Sequence, residues 1–286
     1  MSSERVSKIR HASRVLSPTL RPWVDSDSLA SASTWNGDLK NGKAVEFLSL
    51  AVLVSSLESH QVSVVIPEIG ENLHDHLYLR NELPLTFGSR PGHSGELPGY
   101  DIATRFVSAF TPKVEFNWQR RTFSVFREGV PARDLLSYVN NGVINRLRAD
   151  LVVVPGSFAI SREDHALRIV WVDTNFRMEC LLRIVDAPTP SIVFLESQGV
   201  IPSSRLLVEC SVSKSPSNLK SQLARYVEPF GLDCDTKTVF SYLRSAPVKV
   251  LDYNLDLSRI LDQLGQASSD ELTRFRSWLY DVLTTN

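Results

Sequence analysis

The chain has 286 residues, 43% hydrophobic and 22% charged, with a net charge of −1. This length suits one large domain, or one domain with an appendage, and the apolar share supplies a substantial core. The near-neutral charge excludes a global cationic field for coating nucleic acid, so any such contact needs a local basic patch.

Residues 1–40 are Ser-rich, with Pro18 and Pro22 and little periodicity. They are expected to form a flexible N-terminal arm with at most a short helix near 6–16. The first sixteen residues lack the apolar core of a signal peptide. The longest apolar-rich run, 44–57, is interrupted by Glu46, Ser49, Ser55 and Ser56, too short and too polar for a bilayer span. A cytoplasmic or nuclear protein with no membrane partner is expected.

Val45, Leu48, Val52 and Leu53 recur at helical spacing and predict a helix over 43–59. The β-branched run 61–67 predicts a strand. Eight Gly and Pro residues between 68 and 100 mark a long loop. A strand is expected at 122–126. A helix is expected at 131–147, where Pro131 opens the first turn and Leu135, Leu136, Val139, Val143 and Leu147 share a face. Strand-like runs follow at 151–154, 166–172, 179–185, 191–195 and 205–212. A helix over 217–227, a strand at 248–251 and helices at 258–264 and 270–283 complete the order. The pattern predicts a single domain over 41–286, α/β or α+β in class, with a central mixed β-sheet flanked by helices.

Three cysteines, Cys180, Cys210 and Cys234, are widely spaced and odd in number. They fit neither a disulfide framework nor a zinc pattern, and suit a reducing compartment.

The stretch 205–229 carries the most chemistry. An apolar strand ends near Glu209, a Ser/Lys/Pro turn follows, and the next helix holds Gln222 and Tyr226 one turn apart. Asp150 opens the apolar run 151–154 directly after the 131–147 helix. If those two strands are neighbours, Asp150 and Glu209 converge. Two converged carboxylates call for a cation, and oxygen ligands suit Mg²⁺ or Mn²⁺.

Arg148-Ala149-Asp150, Glu209-Cys210-Ser211 and Gln222-Leu223-Ala224-Arg225-Tyr226 together resemble the PD-(D/E)XK nuclease superfamily. The last segment is similar to the QxxxY pattern of its RecB-like branch, and 209–214 is similar to Uma2-like members. Ala149 stands where the motif has Pro, and Ser211 where it has Lys. The resemblance covers roughly 40–250 and implies a restriction-endonuclease-like fold. It implies Asp150 and Glu209 as Mg²⁺ ligands, the Cys210 carbonyl as a third, and Glu46 as an accessory acid. It also implies a lysine that positions the attacking water. Lys214 and Lys220 are the nearest replacements, with Gln222 and Tyr226 ordering the site.

Nucleic acid, DNA ahead of RNA, is the expected partner, contacted by Arg120, Arg121 and Arg148; a homodimer is allowed. A second register, Asp173 with Glu196-Ser197-Gln198, lacks the following Gln/Tyr helix. Glu71, His74, Asp75 and His76 offer metal-capable side chains, though in a Gly/Pro-rich loop. The rival expectation is a non-catalytic binding or assembly protein, for which Ser211 and the near-neutral charge argue.

Overall fold

The computed structural model describes residues 3–21, 40–67, 85–88, 96–97, 112–127, 149–163, 166–172, 178–185, 191–193, 204–212, 219, 221, 224, 235–243, 251–264 and 270–284. Helix α1 (Ser3–Leu16) opens the chain and packs along helix α2 (Lys40–Ser59). Ile9, Ala12 and Leu20 are fully buried. The stretch expected to be an arm therefore starts with a docked helix, because its few apolar residues gather on one face.

Helix α2 is buried all round from Ala44 to Leu57, its polar residues included. A helix apolar on every side belongs inside a core. Its serines are accommodated by bonding back to their own helix: Ser49 Oγ donates to the Val45 carbonyl and Ser56 Oγ to the Val52 carbonyl, both at 2.7 Å.

A seven-stranded sheet lies against α2. Its strands are β1 (Val64–Val65), β4 (Val114–Trp118), β5 (Arg121–Arg127), β6 (Leu151–Pro155), β11 (Leu206–Ser211), β12 (Lys237–Tyr242) and β13 (Tyr253–Asp256), adjacent in that order. Pairings from β1 to β11 are antiparallel, and those of β11, β12 and β13 are parallel. Helices α3 (Leu257–Asp262) and α4 (Asp270–Thr284) close the chain, and α4 also packs on α2. The class is α+β.

The expected single sheet is accompanied by a second. Strands β2 (Leu85–Gly88), β3 (Glu96–Leu97), β7 (Ser157–Glu163), β8 (Ala166–Val172), β9 (Met178–Val185) and β10 (Ser191–Val193) form a six-stranded sheet, in the order β3-β2-β10-β9-β8-β7. The chain passes from one sheet to the other at Gly156, whose φ of 97° suits glycine. Its N–H donates to the Thr122 carbonyl at 2.7 Å, and its carbonyl accepts from Ser124 Oγ at 2.9 Å.

Several expected elements shift. The 61–67 strand shortens to β1; residues 248–250 of the strand expected at 248–251 lie outside the described residues, and β13 was not expected. Strands β4, β7 and β12 were not expected; β4 alternates buried and more exposed residues, with Glu115 and Asn117 diluting its apolar signal. Within the expected loop 68–100, β2 and β3 pair with each other. The 131–147 helix lies outside the described residues. Of the 217–227 helix, 219, 221 and 224 are described and helical.

The docking of α1 yields a direct test. Ile9→Ala should cost about 3 kcal/mol in chemical denaturation. Val15→Ala, at a residue 51% exposed, should change stability by less than about 0.5 kcal/mol. Equal effects would contradict a docked α1.

Candidate carboxylate site at one sheet end

Because β11, β12 and β13 are parallel, Ser211, Tyr242 and Asp256 finish level with one another. Strand β6 is antiparallel to β11 and starts at that same end. Its register pairs Leu151 with Val208. One step further brings Asp150 across from Glu209. Asp150 and Glu209, expected to lie on neighbouring strands, are thus on adjacent strands in matching register.

Asp150 Oδ2 accepts a hydrogen bond from the Cys210 amide at 2.5 Å. The side chain supplies an acceptor where the β6 ladder ends. Leu206, Val208 and Cys210 belong to the core that contains α2, so Leu207, Glu209 and Ser211 turn to the opposite face. Both faces are buried there: Leu207, Glu209, Phe126 and Val152 are all 0% exposed. On this second face Leu219 packs with Phe240 and Tyr242.

Glu46 approaches from the α2 side and is 7% exposed. One turn later Ser49 Oγ lies 2.7 Å from Ser241 Oγ and accepts from Cys210 Sγ at 3.3 Å. Cys210 is thus held by α2 through its thiol and by Asp150 through its amide. Burial pushes the Cys210 thiol well above its ordinary value of 9.0. The charges of Asp150, Glu46 and Glu209 push the same way, and the Ser49 hydrogen bond opposes them. Cys210 is therefore a neutral thiol and no nucleophile at neutral pH.

The structure places Glu46, Asp150 and Glu209 each near enough to Cys210 for their charges to raise its thiol, Glu46 from the α2 side of the sheet and Glu209 on the opposite face. It does not bring Arg120 and Arg121 there. Gln119 and Arg120, with φ of 46° and 67°, form the tight turn between β4 and β5. Arg127 pairs with Leu151, and Arg121 lies six residues away along β5. Strand rise puts that tip roughly 20 Å from Asp150. It sits beside Trp118, which packs edge-on against His60 and Tyr280 with ring centroids 6.0 and 5.3 Å apart. Arg148, Lys214, Lys220, Gln222 and Tyr226 lie outside the described residues, as do Asp173, Glu196–Gln198 and the Glu71–His76 cluster.

The donor chemistry of Asp150, Glu209 and Glu46 is all oxygen, which fits a hard divalent cation. Among the described residues, no group of three His, Cys, Asp or Glu side chains is gathered to hold a metal ion. Ser49 and Ser241 were not expected as part of the site. Their one sequence signal is Ser49 standing one turn from Glu46 in an otherwise apolar helix.

A second polar group lies at the ends of β12 and β13. Asp256 caps α3 by accepting from the Ser258 and Arg259 amides at 3.0 and 3.2 Å. Buried Glu271 accepts from the Asp256 amide at 3.2 Å and pairs with Arg274. Burial and then the neighbouring Asp256 and Glu271 push Tyr242 up to about 12. Burial and then Glu271 push Tyr253 up to about 12.

No protein-family model, curated protein or solved structure matches this chain. Among the described residues, no helix is long and apolar enough to cross a membrane.

The raised thiol and phenols fix the sign of an alkaline transition. The unfolded chain releases these protons at lower pH than the folded one, so their contribution is full below about pH 9 and falls as pH rises toward 12. Denaturation midpoints should fall over that window, and less steeply in Tyr242→Phe. In a Cys180→Ser/Cys234→Ser background, Cys210 should resist iodoacetamide at pH 8 when folded and react when unfolded. Rapid alkylation of the folded protein would contradict the buried neutral thiol.

Proposed function

We propose that this chain is a metal-dependent nuclease of PD-(D/E)XK type that hydrolyses nucleic-acid phosphodiester bonds, DNA ahead of RNA. The observation that carries this reading is the placement of Asp150 across from Glu209 at one end of the β6–β11 pair. The order of elements agrees with it: a helix bearing Glu46, antiparallel strands bearing the two carboxylates, then a parallel strand.

Asp150 and Glu209 would hold Mg²⁺ or Mn²⁺, with Glu46 as the accessory acid. When bound, the ion supplies Lewis-acid stabilisation of phosphoryl charge and a more acidic water. Lys214 or Lys220 would position that water, Gln222 and Tyr226 would order the site, and Arg148 would contact the phosphate backbone. Arg120 and Arg121, at the far end of β5, would serve only a substrate long enough to reach both ends of the sheet.

Two observations favour a second reading, a non-catalytic binding or assembly protein on this fold. Ser211, 5% exposed, occupies the position where the resemblance implies lysine. Asp150 already uses one oxygen on the Cys210 amide.

Cleavage of single- and double-stranded DNA and RNA, with Mg²⁺ or Mn²⁺ and with EDTA, separates the two. The nuclease reading predicts metal-dependent cleavage that drops at least about a hundredfold in Glu209→Gln and in Asp150→Asn, a few kcal/mol of transition-state stabilisation. Inert wild type, folded and metal-supplied, would give the binding reading its place.

A further inference from the structure

We propose that the turn joining β4 to β5, with Tyr280 of α4 beside it, is a binding site for single-stranded nucleic acid: a base stacks on the exposed Tyr280 ring, and Arg120 and Arg121 hold the flanking phosphates. The inference shares only the class of partner with the nuclease reading. It uses no metal, and the site lies at the opposite end of β5 from Asp150.

The turn keeps its arginine against backbone preference. Trp118 pairs with Arg121, so Gln119 and Arg120 form a two-residue hairpin loop. Both have positive φ, 46° and 67°. Such loops favour Asn-Gly, because a larger side chain strains the left-handed region. Strained residues of this kind persist where the side chain is used. Stability gives Arg120 no reason to be there. Arg120 and Arg121 are both exposed, and among the described residues their side chains make no ion pair and no hydrogen bond.

An aromatic surface lies beside these two cations. Arg121 stands across from Trp118, on the same face of the β4–β5 pair. Trp118 is 6% exposed, and His60 and Tyr280 pack edge-on against it. Tyr280 also lies 5.0 Å from the His60 ring, yet remains 43% exposed. It is a ring steadied by two others and open to solvent. Nearby carboxylates are turned or engaged elsewhere. Glu115 lies on the other face of β4 and accepts from Ser124 Oγ at 3.0 Å. Glu58 accepts from Thr19. Asp281 lies about 100° further round α4 than Tyr280. An open ring beside two unneutralised guanidinium groups complements a base flanked by phosphates. A duplex keeps its base faces stacked on one another, so the single strand is the form that fits. An acidic peptide would answer the arginines and leave the ring without a counterpart.

Fluorescence anisotropy of a labelled oligothymidylate about 15 nucleotides long, titrated with the full chain in EDTA, tests the site without metal or cleavage. Wild type should bind the single strand, and should bind it annealed to its complement about tenfold more weakly or worse. Tyr280→Ala should weaken binding about tenfold. Arg120→Gly should weaken binding while raising the melting temperature, because glycine relieves the turn. Lys8→Ala removes the same charge from the exposed side of α1 and should leave affinity unchanged. Wild-type affinity in either Tyr280→Ala or Arg120→Gly overturns the proposal. A fall of both affinity and melting temperature in Arg120→Gly would assign that arginine to structure and overturn it too. Equal weakening in Lys8→Ala, equal binding of single strand and duplex, or displacement of the oligonucleotide by polyglutamate at matched charge would each show that the surface reads charge alone, with the same consequence. Absence of binding, beside intact metal-dependent cleavage, would remove this site and leave the nuclease reading standing.

Discussion

The antiparallel pairing of β6 with β11 is the constraint on which the arrangement depends. It joins two halves of different character: the antiparallel strands β1, β4, β5 and β6, and the parallel strands β11, β12 and β13. Chain between these two strands contributes most of the second sheet, so the pairing closes a long-range contact that local preference cannot supply. Register matters as much as adjacency. A slip of one residue would turn Glu209 toward α2 and Cys210 away from it. The apolar faces on both sides of β11 oppose such a slip. The Asp150–Cys210 hydrogen bond carries the pairing one step beyond the last main-chain pair.

The electrostatic arrangement follows from this geometry. Three carboxylates raise the thiol of Cys210 by their charge, and two of them, Glu46 and Glu209, are buried. Such charge needs hydrogen-bond donors or a cation to remain there. The Cys210 amide provides one donor to Asp150. A hard divalent ion at Asp150 and Glu209 is the further partner we propose. The same burial that makes the cluster demanding also makes the Cys210 thiol inert, so its contribution is to structure. Its S–H completes the coordination of Ser49, and its amide orients Asp150.

Much of this was legible in the sequence, for identifiable reasons. The run 44–57 reads as a helix because its apolar residues are dense and regularly spaced, and the apolar runs at 151–154 and 205–212 read as strands because both faces are buried. Asp150 and Glu209 stood out because each interrupts or borders such a run. Strand β4 was less visible, since a strand with more exposed positions at Glu115 and Asn117 carries half the apolar signal. The division into two sheets was not legible, because periodicity reports local geometry and says nothing about which strands pair. The role of Ser49 was hidden for a related reason: a serine bonded to its own helix is common, and its link to Cys210 and Ser241 spans more than 160 residues of sequence. The docking of α1 depends on only a few apolar residues, Ile9, Ala12 and Leu20, scattered through a polar segment.

The most direct test of the central claim is a crystal structure of the protein soaked with Mn²⁺, with anomalous scattering used to locate the ion. The account predicts a peak at the Asp150/Glu209 end of the β6–β11 pair, about 2–2.6 Å from their carboxylate oxygens. A fully occupied ion elsewhere, or a well-ordered site with no peak at saturating Mn²⁺, would contradict it.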